Sequence, residues 1–299
     1  MNANVLITGA NGNIGRKLLV NLLNNTSAAI YAVASSEEKV YSALDAEGVK
    51  NTERIFAVKS DEFLSESWDN IFDFDAVHLA FSRRNKPNED IADSIDYSDK
   101  VFRKLKKLNA NRVINLSSQG VYGNCREIRT ESTKPAPSSQ YTMAKYASEK
   151  IFNIYFSNMP GSAANIRLDS VVQSQNLVQA LCRQAKYDGL IKLKGGDQCF
   201  SYIDINDAAS ALLALLKYDG RWNNVYNVGL NNGRITLLEL AGKIADYSRK
   251  SSGNAVKIDL DRQPTDIWAG MDASSFMKDT GWTPMYSIED MIAHMYENV

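Results

Sequence analysis

Val5-Leu6-Ile7-Thr8-Gly9-Ala10-Asn11-Gly12-Asn13-Ile14-Gly15 decides how this chain folds. An apolar, β-branched run gives way to three glycines at three-residue spacing, and an amphipathic stretch, Asn13–Leu23, follows without a break. Glycines so placed let the main chain turn tightly and approach a bound group closely. The start of the following helix presents unpaired N–H groups and a partial positive charge. A strand, a glycine turn and a helix N-terminus in that order make a cradle for a pyrophosphate. Gly9, Asn11, Gly12, Asn13, Ile14 and Gly15 are therefore candidate cofactor-binding residues; the plainer alternative is a glycine turn with no ligand.

Working outward, short β-branched runs at Asn4–Thr8, Ala29–Ala34, Arg54–Val58, Ala76–Ala80 and Arg112–Leu116 alternate with helical patterns at Asn13–Leu23, Glu37–Ala46, Asp61–Asn70 and Glu89–Leu108. Ser139–Phe156 reads as a further helix and Ala163–Leu168 as a sixth strand. Such alternation, with strands apolar on both faces, predicts an α/β fold: a doubly wound parallel sheet covered by helices. Beyond residue 168 the rhythm loosens. Helices are predicted at Asn176–Tyr187, Ile205–Tyr218, Thr236–Arg249 and Ser287–Tyr296, and strands at Asn224–Val228 and Val256–Leu260. Thr236 with Glu239 three residues on has the pattern of a capping box. The expected division is a dinucleotide-binding domain over residues 1–168 and a smaller substrate-binding lobe over 169–299, with segments near 200–228 returning to the sheet.

The second strand ends Val33-Ala34-Ser35-Ser36, without the carboxylate that grips an adenosine ribose in many dinucleotide sites. That absence removes repulsion against a 2′-phosphate. Ser35 can hydrogen-bond one and Lys39 is the nearest cation, so NADP or NAD is expected, with NADP slightly preferred. The alternative is that Ser35 and Ser36 only cap the next helix. Asp61, after the third strand, is placed to meet an adenine amino group or to act as a helix N-cap. Ala80, closing the predicted fourth strand, is expected to border the cofactor.

Tyr141-Thr142-Met143-Ala144-Lys145 lies on a predicted helix, where residues four apart share a face. A nearby ammonium favours a phenolate, so Tyr141 can exchange a proton with a substrate hydroxyl or carbonyl. Ser118 follows the fifth strand, at the carboxyl edge where doubly wound sheets place ligands, and can hydrogen-bond the same oxygen.

Gly9–Gly15, Ser118-Gln119-Gly120-Val121-Tyr122-Gly123 and Tyr141-x-x-x-Lys145 together resemble the extended short-chain dehydrogenase/reductases, the NAD-dependent epimerase/dehydratase group. The likeness continues through Ile166-Arg167-Leu168, Phe200–Ala209, Val225-Tyr226-Asn227-Val228-Gly229 and Thr280-Gly281-Trp282-Thr283-Pro284. The resemblance implies a Rossmann-type sheet, Tyr141 as acid–base residue, Lys145 on the nicotinamide ribose and Ser118 orienting the reacting oxygen. It also implies a nucleotide-linked sugar as substrate and a homodimer built through a helix bundle that includes the Tyr–Lys helix. Family dehydratases carry an Asp-Glu pair where this chain has Gln119-Gly120, which argues against water elimination. Many sugar-nucleotide members place a diphosphate-binding Arg within the segment that reads Gly195-Gly196-Asp197-Gln198-Cys199-Phe200 here. Arg262 and Asp266, in Arg262-Gln263-Pro264-Thr265-Asp266, are candidates for phosphate and ribose, or a surface turn. Arg83 and Arg84, after the fourth strand, are candidates for phosphate contacts, or a solvated pair. His78, inside an apolar strand, is expected in the core.

Composition narrows the field. The 299 residues suffice for a substantial core, and 44% hydrophobic with 23% charged residues argues against extended disorder. A net charge of −1 gives no electrostatic support to a nucleic-acid partner. Three scattered cysteines and two histidines offer neither a disulfide framework nor a metal site, and a reducing compartment fits. With no signal-like or membrane-length apolar run, the expected location is the cytoplasm and no membrane partner is expected. The expected function is an NAD(P)-dependent epimerase or 4-keto-reductase of a nucleotide-linked sugar. Alternatives are an NADPH-dependent reductase of a non-sugar aldehyde or ketone, and a non-catalytic dinucleotide-sensing regulator.

Overall fold

The computed structural model describes residues 1–174, 176–231 and 234–299. Strands and helices alternate through the first half: β1 (Asn4–Thr8), α1 (Asn13–Asn25), β2 (Ala29–Ala34), α2 (Glu37–Ala46), β3 (Ile55–Lys59), α3 (Ser60–Leu64), β4 (Phe74–His78), α4 (Asn88–Lys107), β5 (Arg112–Ser118), α5 (Gln140–Phe156) and β6 (Ala163–Leu168). The second half holds β7 (Ser170–Val171), α6 (Asn176–Arg183), β8 (Leu190–Lys194), β9 (Cys199–Phe200), β10 (Tyr202–Ile203), α7 (Ile205–Lys217) and β11 (Val225–Val228). It closes with β12 (Ile235–Thr236), α8 (Leu237–Ser252), β13 (Lys257–Asp261), α9 (Ser274–Thr280) and α10 (Ile288–Glu297).

Seven strands form one parallel sheet in the order β3-β2-β1-β4-β5-β6-β11. Every residue of β4 and β6 is buried, as a sheet covered on both faces requires. One face is filled by Leu18, Leu19 and Leu22 of α1 with Leu212, Leu215 and Leu216 of α7. The other carries Phe102 of α4 against Phe152 and Phe156 of α5, the ring centroids 5.3 and 6.1 Å from Phe102. Strand order reverses between β1 and β4 in this Rossmann-type sheet, so a crevice opens at their carboxyl ends, the place where doubly wound sheets in general take their ligands.

A third core, with Val178, Ile191, Leu240, Ile244 and Met291, joins α6, β8, α8 and α10. Of the segments near 200–228, Val225–Val228 extends the main sheet, while β10 pairs with β7 and β9 with β12 in two-stranded ladders. Asp207 of α7 accepts the main-chain N–H groups of Met285 and Tyr286, at 2.9 and 3.0 Å. Trp282 donates its indole N–H to Ser210 at 2.9 Å, so Gly281-Trp282-Thr283-Pro284 is stapled onto α7. Among the described residues no helix is long and apolar enough to cross a membrane.

Several predicted bounds move. β4 lies at Phe74–His78 rather than Ala76–Ala80. Leu79 is the last residue to bond β1, through the carbonyl of Thr8, and Ala80 turns over the glycine loop. α3 ends at Leu64 instead of Asn70, because Ser65 leaves the helical conformation and Trp68 folds back edge-on to Phe63. The helix from Asn176 ends at Arg183 and passes into a π-type turn over Gln184–Asp188. β8 and α9 had no counterpart in the sequence pattern.

Candidate active site

The glycine loop is closed by its own geometry. Gly9 has φ +71°, and a Cβ there would stand 2.7 Å from the amide nitrogen of Ala80. At Gly15 a Cβ would meet the carbonyl oxygens of Gly9 and Ala10 at 2.4 and 2.6 Å, so only glycine lets α1 start this close to β1. Gly12 takes the N-cap position of α1 with no side-chain cap, which leaves the first N–H groups of the helix for another acceptor. Ile14 packs against the core below. A cleft of about 530 Å³ opens over this loop, lined by Gly9, Asn11, Ala34, Ser35, Ser60, Ala80, Phe81, Ser82, Asp90, Asp93, Ser94 and Tyr97. The dinucleotide cradle thus fits the residues present: glycine-only approaches, an uncapped helix start and an adjoining cleft.

Ser35 lines this cleft and accepts a hydrogen bond from Lys39 Nζ at 2.8 Å. Ser36 holds the N-cap position of α2 but makes no capping bond to the main chain; its hydroxyl instead helps, after the Glu38 N–H, to hold the Glu38 carboxyl below its ordinary range. Asp61 is exposed in the first turn of α3, whose N-cap is Lys59; the neighbouring Ser60 lines the cleft. Ser60, Ser82, Ser94 and Tyr97 of the cleft carry no motif of their own in the sequence. Their signal was position alone, at strand ends and along the α4 face opposite the glycine loop.

α5 begins with a reciprocal cap: Ser139 accepts the Thr142 N–H and Thr142 accepts the Ser139 N–H. Tyr141, Lys145 and Glu149 follow at four-residue intervals, one above another on the helix. Lys145 is only 5% exposed, and its Nζ donates to the Leu116 carbonyl of β5 at 2.8 Å. Burial pulls its pKa down to about 7, with Glu149 acting in the opposite direction. Glu149 accepts from Ser117 Oγ at 2.6 Å and pairs with Arg167 of β6 at 2.7 Å. Ser118 Oγ accepts the Gly120 N–H at 3.1 Å and keeps its own proton for donation. Tyr141 is half-buried; desolvation of its hydroxyl pushes its pKa up to about 12, against a lowering influence from Arg84. Phe81, at the mouth of the cleft, touches both members of the pair, with its ring face toward Lys145 and Tyr141 edge-on.

Beneath Ser118 the chain departs from the dehydratase pattern in an organised way. Gln119 donates to Asp169 and to Ser170 Oγ, and accepts from Arg129 at 3.3 Å. Asp169 also accepts from Ser201 and from the Ser170 N–H; burial raises its carboxyl to about 6 despite these donors. A Cβ on Gly120 would lie 2.6 Å from the γ-methyl of Thr142, so the space a Glu would need there is filled.

Arg83 and Arg84 are exposed on the loop that leaves β4, and Arg84 acts electrostatically on Tyr141. Arg262 is exposed beyond β13. Asp266 accepts the Trp268 indole N–H at 2.9 Å and lies 3.8 Å from Arg126, while its carbonyl accepts from Asn124. His78 is buried in the core between Thr8 Oγ1 (2.7 Å) and Ser98 Oγ (3.0 Å); burial, then Lys145, lowers its pKa to about 3.

The profile of the NAD-dependent epimerase/dehydratase family matches residues 5–229. The chain belongs to that family. A dTDP-glucose 4,6-dehydratase of Xanthomonas campestris is 26% identical over 199 residues, covering 62% of this chain and 56% of the relative's length. The Escherichia coli dTDP-glucose 4,6-dehydratase is 24% identical, over 98% of this chain and 93% of its own. Among solved structures, the Bacillus cereus UDP-glucuronic acid 4-epimerase in complex with UDP-glucuronic acid and NAD superposes with a TM-score of 0.77 at 19% identity, over 98% of both chains. The Bacillus anthracis dTDP-glucose 4,6-dehydratase in complex with NAD gives 0.78 at 20% identity, over 98% of this chain and 95% of that one. At these identities the structures speak to the fold.

Proposed function

We propose that the protein is an NAD(P)-dependent epimerase or 4-keto-reductase acting on a nucleotide-linked sugar. The observation that carries this is the stripe of Tyr141 and Lys145 on α5, tied through Lys145 Nζ to the end of the strand that bears Ser118. Gly9, Gly12, Gly15 and the start of α1 hold the pyrophosphate; Ala80 and Lys145 border the nicotinamide ribose. Bound there, the dinucleotide supplies reversible hydride transfer. Tyr141 takes the proton of a substrate hydroxyl or returns one to a carbonyl, and Ser118 donates to the same oxygen. The ammonium of Lys145 favours the phenolate that burial alone disfavours. Arg83, Arg84, Arg262 and Asp266 are the groups offered to a nucleoside diphosphate.

Elimination of water is not part of this proposal, although the named relatives include dehydratases. Gln119 cannot act as an acid, and Gly120 has no room for one. Ser35 and Lys39, with no carboxylate at the end of β2, favour NADP. By the resemblance, two copies pair through a helix bundle that includes α5. Replacement of Tyr141 by Phe should lower turnover roughly 10²–10⁴-fold while dinucleotide binding persists. Unchanged turnover would remove Tyr141 from the chemistry. Mass spectrometry of ligands carried through purification identifies cofactor and nucleotide, and turnover without net change in nicotinamide absorbance separates epimerase from reductase.

A further inference from the structure

Phe81 follows Ala80 on the loop leaving β4, so the sheet delivers its side chain to the carboxyl edge beside α5. The centroid of its ring lies 4.0 Å from Lys145 Nζ. The Tyr141 ring meets it edge-on, at 6.1 Å and 85°. On its other side the ammonium donates to the Leu116 carbonyl at 2.8 Å. A buried ammonium has three protons to satisfy, and an aromatic face is an electron-rich partner that costs no hydrogen-bond geometry. We infer that Phe81 is a positioning residue for the Tyr141–Lys145 pair: its ring holds the lysine against β5 and sets the tyrosine beside it. This rests on the acid–base reading of that pair.

The other titratable and charged groups lie around the pair, and of them Glu149 acts on the ammonium itself. Glu149 stands one turn further along α5, already paired with Arg167 of β6. His78 of β4 is neutral, its ring 6.3 Å from that of Tyr97 on α4. Arg84, on the loop of Phe81, acts on Tyr141. None of these is an aromatic face on Nζ, so the contribution of Phe81 can be isolated by replacing the ring with an aliphatic side chain.

The test is a pH titration of lysine side-chain resonances in the full-length protein, followed by NMR, with the Lys145 signal identified by its loss in Lys145→Arg. Phe81→Leu keeps apolar bulk and removes the ring. It should lower the Lys145 pKa by about one unit, because the charged form loses its π partner. Phe81→Tyr keeps the ring and should leave the titration within a few tenths of a unit of wild type. The alkaline limb of kcat/KM should move to lower pH in the Leu variant only, with the thermal melt of each variant confirming a folded chain. An unchanged or raised Lys145 pKa in Phe81→Leu, or an equal shift in Phe81→Tyr, overturns the inference. Full turnover in Tyr141→Phe with these titrations as expected would instead overturn the catalytic reading and leave the positioning of Lys145 standing.

Discussion

Lys145 should destabilise the fold that uses it, and the size of the effect follows from its burial. The fall of its pKa from 10.5 to about 7 corresponds to about 5 kcal/mol at about 1.4 kcal/mol per unit, disfavouring the charged form in the folded chain. Because the folded-state pKa lies below the unfolded one, the unfolded chain binds more protons between pH 7 and 10.5. Stability therefore rises with pH across that window, at up to about 1.4 kcal/mol per unit, and the full penalty stands below pH 7. Lys145→Met keeps length and helix preference and removes the charge. Relative to wild type it should be more stable at pH 6, and that advantage should shrink by about 3 kcal/mol at pH 9. Loss of the bond to the Leu116 carbonyl is common to both pH values and cancels in the comparison. Urea unfolding of both proteins at pH 6, 7.5 and 9 measures the difference directly. A stability gap that stays flat, or widens as pH rises, would refute the assignment of Lys145 as a buried, desolvated ammonium.

Three further outcomes are expected. Gly15→Ala should weaken dinucleotide binding at least about tenfold in calorimetry while far-UV circular dichroism is kept, because its Cβ would press on the Gly9 and Ala10 carbonyls that close the cradle. Glu149→Gln leaves Arg167 buried without its carboxylate and should cost about 3–5 kcal/mol in urea unfolding; a loss below 1 kcal/mol would mean that the pair is not isolated from water. Lys39→Ala should weaken NADP binding about tenfold and leave NAD binding nearly unchanged, since only the 2′-phosphate calls on that cation; equal effects on both cofactors would remove the preference for NADP.

What the sequence reveals here is what short-range physics controls. The cradle was legible because glycine spacing, an apolar strand and a helix start are contiguous in Gly9–Gly15, and each constraint acts within a few residues. Tyr141 and Lys145 were legible because helical periodicity alone puts them on one face. β8 was missed: Leu190–Lys194 alternates apolar and polar residues over only the four positions Ile191–Lys194, and its partner, β13, lies more than sixty residues on, so pairing more than local pattern makes it a strand. α9 was missed because only Phe276 of Ser274–Thr280 is buried, and its hold on the core is tertiary, edge-on to Tyr226 and Trp282. Phe81 had no periodic signal at all. Its role depends on a loop conformation that the strand end, not the loop sequence, dictates.

The departure at Gln119-Gly120 shows how local and long-range constraints combine. Gln119 alone could be one side chain exchanged for another of similar size. In the fold its amide meets Asp169, fifty residues away, so a carboxylate is still present at the end of β6, now turned into a network with Ser201 and Arg129. Gly120 is tied more tightly still. The methyl of Thr142 fills the place of its side chain, and the hydroxyl of the same Thr142 closes the cap that starts α5 one residue after Ser139. An acid at 120 would have to displace Thr142, and with it the first helical turn that carries Tyr141. The missing acid pair and the placement of the phenol are thus one packing solution. Substituting Glu at 120 alone should disturb Tyr141 before it supplies a proton to a leaving hydroxyl.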